Sequence, residues 1–182
     1  MTHENDPSNL GDIEKSALLV IDVQREMFEQ KTPIYRAEKL IDHILEIINI
    51  AHAANAPIIY IQHNAEDFLV KGSEGWQLHP RLNPRPDDWR IFKEQSSAFQ
   101  EVGLDELLIS LGVGRLVVVG LVTHGCVKNN CLGGLKAGYQ VVLASDAHSS
   151  FSKDAAALIE KWNKTLADRG VVVMPTKDIC FK

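Results

Sequence analysis

Leu116-Val-Val-Val-Gly-Leu-Val-Thr-His-Gly-Cys-Val-Lys-Asn-Asn-Cys-Leu-Gly-Gly-Leu-Lys-Ala-Gly138 opens as an unbroken apolar run, passes a short polar turn ending in Cys126, and closes as a small-residue segment compatible with a helix. The stretch reads as strand, turn, helix. In a parallel α/β sheet such a turn falls at the carboxyl end of a strand, where ligands bind, and Cys126 is expected at or just inside the first turn of the following helix. The partial positive charge of a helix N-terminus favours thiolate over thiol, which lowers a cysteine pKa from its free value of about 8.5. That placement makes Cys126 a candidate nucleophile.

Working outward, Ala17-Leu-Leu-Val-Ile21 has the pattern of a strand buried on both faces, and Asp22 follows it directly. A carboxylate ending a buried strand is costly unless it faces a cleft or finds partners. Met27 and Phe28, in the loop from Val23 to Pro33, are placed to cover that cleft. Leu40, Ile41, Ile44, Leu45, Ile47, Ile48 and Ala51 recur at helical spacing, so Tyr35 to Ala54 is predicted as a long amphipathic helix. Ile58-Ile-Tyr-Ile61 is a second strand, with Gln62 and His63 at its carboxyl end. Residues 64–88 hold Gly72, Gly75, Pro80, Pro84 and Pro86 and are read as a long lid or pocket wall.

Beyond the lid, Trp89-Arg-Ile-Phe92 is a short extended piece leading to Lys93, and a helix is expected at about Leu104 to Leu111. After the helix carrying Cys126, Gly138 is a helix stop and Tyr139 to Leu143 the next strand, with Asp146, His148 and Ser149 just past its end. Asp154 to Ala167 reads as a helix and Val171 to Met174 as a last strand. Alternating strands and helices imply right-handed crossovers and a three-layer α/β/α, Rossmann-like fold with a mostly parallel central sheet.

The chain has 182 residues, 45% hydrophobic and 24% charged, with no compositional break, so residues 15–182 are read as a single domain. Residues 1–14 are polar, contain Pro7 and Gly11, and are read as a flexible arm rather than a signal peptide. The net charge is -5 and no basic run is present, which argues against nucleic acid as a partner. No apolar run is long enough to span a bilayer, so no membrane partner is expected and a cytoplasmic location is. Cys126, Cys131 and Cys180 form neither a disulfide framework nor a CxxC pair, and reduced thiols are expected.

If the strands are parallel, Asp22, Lys93 and Cys126 lie on one rim. A carboxylate can take the thiol proton and an ammonium can stabilise the resulting charge. The same residues also admit a bland reading, in which Asp22 caps a loop, Lys93 is solvated and Cys126 is a small buried hydrophobe. Cys131, about one and a half helical turns beyond Cys126, projects elsewhere and is assigned to the core.

Ala17-Leu-Leu-Val-Ile-Asp-Val-Gln24, Lys93-Glu-Gln-Ser-Ser-Ala-Phe99 and Gly120-Leu-Val-Thr-His-Gly-Cys-Val127 resemble, in order, the three signature blocks of the isochorismatase-like cysteine hydrolases. That superfamily includes nicotinamidases, N-carbamoylsarcosine amidases and ureidoacrylate amidohydrolases, and the resemblance runs from about Ser16 to Pro175. It implies Asp22 as general base, Lys93 as charge partner and Cys126 as nucleophile. It also implies a cis peptide between Leu121 and Val122, aiming the Val122 N–H, with that of Cys126, at a developing oxyanion. Homodimers or homotetramers are a further implication.

Two departures narrow the activity. Nicotinamidases of the family bind a metal through an Asp-x-His pair after the second strand, where this chain has Gln62-His-Asn-Ala-Glu-Asp67; His63 alone is a poor site, so no metal or other cofactor is expected. Relatives that cleave the vinyl ether of isochorismate carry glycine at the nucleophile position, so Cys126 points to C–N cleavage of a small amide, ureido or carbamoyl compound through a thioester. Phe28, Gln62, His63, Trp76 and His124 are candidate pocket residues by position. The competing readings are a non-catalytic relative that binds a small molecule or protein with the same pocket, and an isochorismatase-type vinyl ether hydrolase. A dinucleotide-binding protein is disfavoured because no G-x-G-x-x-G follows a strand.

Overall fold

The computed structural model describes residues 15–182, so the arm assigned to residues 1–14 lies outside the described residues. Six strands, β1 (Lys15–Ile21), β2 (Ile58–His63), β3 (Trp89–Lys93), β4 (Val113–Leu121), β5 (Gln140–Ser149) and β6 (Val172–Met174), form one sheet in the order β3-β2-β1-β4-β5-β6. Every strand pair is parallel, as the alternation of elements predicts.

The helices are α1 (Ala37–Ala53), α2 (Leu104–Ser110), α3 (Lys128–Lys136) and α4 (Ala155–Ala167). The chain steps one way across the sheet from β1 to β3 and the other way from β4 to β6. Right-handed crossovers therefore put the helices on opposite faces. On one face α1 buries Leu40, Ile41, Ile44, Ile47, Ile48 and Ala51 against Leu18, Val20, Tyr60, Val117 and Val119. On the other, residues of α2, α3 and α4 pack over Leu19, Ile21, Ile59, Leu116, Val118 and Leu143. Cys131 belongs to this second core and is fully buried.

The reversal of direction puts a switch point between β1 and β4, the place where open α/β sheets bind ligands. Close approach there requires a residue with no side chain. Gly120 has φ 121°, and a Cβ on it would lie 2.1 Å from the Ile21 carbonyl oxygen. Asp22 and the turn after Leu121 are thereby held side by side.

Two local expectations are corrected. Asp146, His148 and Ser149 do not lie past the end of a strand, because β5 continues through them to Ser149. The low strand propensity of Ser145-Asp-Ala-His-Ser149 is overridden by partners: Gly120 pairs with His148 and Leu121 with Ser149 across a register shift, and Asp146 accepts from the Thr176 N–H and hydroxyl. Nor does Cys126 lie within α3. Thr123–Val127 forms a wider π-type turn, with Gly125 outside helical backbone values, and the regular helix begins only at Lys128.

Candidate active site

The carboxyl ends of four neighbouring strands supply the site. Asp22 is the first residue after β1, with its backbone at φ 50° and its N–H bonded to the Ile61 carbonyl at 2.9 Å. His63 and Lys93 end β2 and β3 and are register partners. Cys126 stands in the wide turn that follows β4. The peptide bond between Leu121 and Val122 is cis.

Lys93 joins these residues. Its side chain is fully buried, and its Nζ lies 3.0 Å from Asp22 Oδ2, 3.0 Å from His63 Nδ1 and 3.3 Å from Cys126 Sγ. A lysine ammonium has three protons, and three acceptors surround this one. His63 Nδ1 must then accept, which puts the ring proton on Nε2. Burial, followed by the Lys93 charge, holds the His63 pKa below its ordinary value, so the imidazole is neutral. Asp22 Oδ1 is buried, with no hydrogen-bond partner among the described residues. The Asp22, His63 and Cys126 ligand atoms all lie within 4.8 Å of one another.

The thiol differs from the sequence expectation. Burial first and the Asp22 carboxylate second push the Cys126 pKa up to about 12, against the opposing pull of Lys93. The helix end that was expected to lower it starts two residues later, and desolvation outweighs it. The resting group is therefore a protonated thiol beside a buried carboxylate–ammonium pair.

The candidate pocket residues divide. His63 joins the cluster through Lys93. Gln62 and Trp76 are buried and face each other, the Gln62 amide donating to the Trp76 carbonyl at 3.0 Å, while the Trp76 indole donates to Asn64 Oδ1 at 2.5 Å. Both fix the 64–88 segment to the end of β2. Phe28 packs on His79, ring centroids 4.6 Å apart, and His124 is exposed.

Sequence reasoning gave no role to Gln24, Asn130 or Thr123. The buried Gln24 amide donates to the His63 and Trp76 carbonyls and accepts from the His63 N–H, joining the 64–88 segment to the ends of β1 and β2. The buried Asn130 accepts from Ala98 N–H and donates to the Cys126 carbonyl at 2.8 Å, tying the Cys126 turn to the segment after Lys93. Its place one helical turn after Cys126 was the available signal. Thr123 Oγ1 lies 2.8 Å from His148 Nδ1, and His148 Nε2 lies 2.8 Å from Asn163 Oδ1.

The metal that some relatives bind does not fit here. Glu66 and Asp67 are exposed, and His63 turns to Lys93. Among the described residues, Asp22, His63 and Cys126 form the one group of metal-type donors, and the Lys93 ammonium occupies its centre.

The family model of the isochorismatase domain matches residues 16–178. A streptothricin hydrolase of Streptomyces noursei is 30% identical over 142 residues, which are 77% of this chain and 51% of that protein, so the chain spans about half the length of this relative. A secreted isochorismatase effector of Verticillium dahliae is 27% identical over 179 residues, covering 95% of this chain and 94% of its own. A crystal structure of an isochorismatase family protein shares the fold with a TM-score of 0.83 at 28% identity, over 90% of this chain and 99% of the other. With that match over nearly its whole length, the chain belongs to the isochorismatase family.

Proposed function

We propose that this protein is a cysteine-dependent hydrolase that cleaves the C–N bond of a small amide, ureido or carbamoyl compound through a thioester. One observation carries the reading: the buried Lys93 ammonium touches both Asp22 Oδ2 and Cys126 Sγ, while Asp22 Oδ1 has no partner among the described residues. A carboxylate within 4.8 Å of a protonated thiol, with one oxygen unpartnered, is a base waiting for its proton.

Because the thiol pKa is about 12, thiolate does not accumulate. Asp22 takes the proton as Sγ attacks the acyl carbon, and Lys93 balances the charge that develops on sulfur and oxyanion. The oxyanion rests on the backbone N–H groups of Val122 and Cys126. Collapse breaks the C–N bond, and the amine or ammonia leaves with the proton held by Asp22. Water then attacks the thioester with Asp22 as base, and the acid product and the thiol are restored. A thiol and an oxyanion hole are useful against an acyl carbon and superfluous against a vinyl ether, which favours C–N cleavage.

Nicotinamide, carbamoylated amino acids, ureido acids and lactams form the panel to test, with release of ammonia or a new amine as the readout. Turnover by wild type and its loss in Cys126→Ala support the reading; cleavage of vinyl ethers alone would overturn it. Assembly into homodimers or homotetramers belongs to the same reading, supported by the signature blocks and tested by sedimentation. No helix among the described residues is long and apolar enough to cross a membrane.

A further inference from the structure

We propose that Lys93 is a resident cation that keeps soft divalent metal ions out of a donor cage formed by Asp22, His63 and Cys126. Carboxylate, imidazole and thiolate are together a ligand set for zinc and its soft relatives, and three protein ligands with one open position suffice. Here the three donors converge on a single point, and the Lys93 Nζ stands there at 3.0, 3.0 and 3.3 Å. The imidazole is already in the ligating form, since its Nδ1 lone pair faces that point to receive the Lys93 proton. Zinc bonds of about 2.0–2.3 Å would require each donor to move in by roughly 1 Å, within the reach of side-chain rotation.

A metal entering the cage must remove the ammonium, and the ammonium has nowhere to go. Lys93 is 1% exposed, and among the described residues Asp22 is the one carboxylate within salt-bridge distance of it, Glu101 acting on it only from farther off. A buried cation separated from its carboxylate is strongly unfavourable. A thiol, an imidazole and a carboxylate set within 4.8 Å of one another for chemistry would otherwise be captured by metal; Lys93 protects them while serving as charge partner. This rests on Asp22, Lys93 and Cys126 forming one site, but equilibrium metal binding reads it without turnover.

The test titrates the full chain with Co2+ alone, in a Cys180→Ser background that removes the exposed thiol, following thiolate-to-cobalt absorption. Loss of the unit positive charge at the cage centre predicts that Lys93→Met binds one Co2+ at least about a hundredfold more tightly than the parent. The band vanishes when Cys126→Ala is added, and the thermal midpoint of Lys93→Met rises with metal. Should Lys93→Met fail to fold, Lys93→Gln, neutral but able to bond Asp22, takes its place. Affinities of parent and variant within threefold, a band that survives without Cys126, or micromolar binding with a thiolate band in the parent itself would each overturn the proposal. Failure here with a thioester still formed at Cys126 removes the metal-excluding role alone, whereas absence of the thioester with the metal contrast intact removes the hydrolase reading alone.

Discussion

Replacing Asp22 by asparagine separates thiol acidity from catalysis, because the carboxylate acts on them in opposite senses. Its charge is the second cause, after burial, of the raised Cys126 pKa. The ligand atoms of the two residues lie within 4.8 Å, and at an effective dielectric constant of 20 a unit charge at that distance contributes about 3 kcal/mol. Asparagine keeps the shape and an acceptor for Lys93 but removes the charge, so the thiolate fraction at neutral pH rises by about a hundredfold or more. Iodoacetamide alkylation of Cys126 from pH 6 to 10, resolved by mass from Cys131 and Cys180, measures this directly. The same variant has no base to accept the thiol proton and loses about 10²–10⁴-fold in kcat. The Asp22→Asn protein is therefore expected to be more reactive to an alkylating agent and nearly inert to substrate. Alkylation that slows or stays unchanged refutes the electrostatic assignment, and kcat within tenfold of wild type refutes the base.

Two further outcomes concern the scaffold. Gly120→Ala sets a Cβ 2.1 Å from the Ile21 carbonyl oxygen and 2.8 Å from its nitrogen at φ 121°, so backbone strain and overpacking together cost about 3–5 kcal/mol. The urea midpoint reads it, and a loss below about 1 kcal/mol contradicts the close approach. Burial lowers the His148 pKa to about 4, so its contribution to stability is fully present above the unfolded value of 6.5 and is lost as pH falls toward 4. That amounts to about 3 kcal/mol across the window, with His63 and His79 shifted in the same direction. Unfolding free energies at pH 7.5, 5.5 and 4.5 should decline accordingly; a flat profile counts against a neutral His148.

Much of the architecture is legible in residue pattern. The runs Ala17–Ile21 and Leu116–Val119 are apolar throughout because both faces of a central parallel strand are covered, and the α1 face repeats at helical spacing. The convergence of Asp22, Lys93 and Cys126 follows from their places at strand ends, given parallel strands. Other features depend on long-range register and could not be read. His63 reaches Lys93 because β2 and β3 pair in parallel with those residues opposite each other, although a long irregular segment separates them in sequence. The extension of β5 through Asp146 and His148 depends on Thr176, Thr123 and Asn163, none of them near in sequence. His124, a candidate pocket residue, is exposed within the wide turn, whose shape the sequence pattern does not reveal. The acidity expected of Cys126 fails because a helix-end argument carries no knowledge of how deeply the sulfur is buried.

The central claim is that Cys126 carries the acyl group. Acid-quenched turnover of a cleaved amide, followed by intact-mass and peptide analysis, should reveal one acyl adduct on the peptide containing Cys126, formed and consumed at the rate of product release. Cys126→Ala should fold normally, carry no adduct and show no turnover. Turnover by that variant at more than about one hundredth of the wild-type rate would contradict the account.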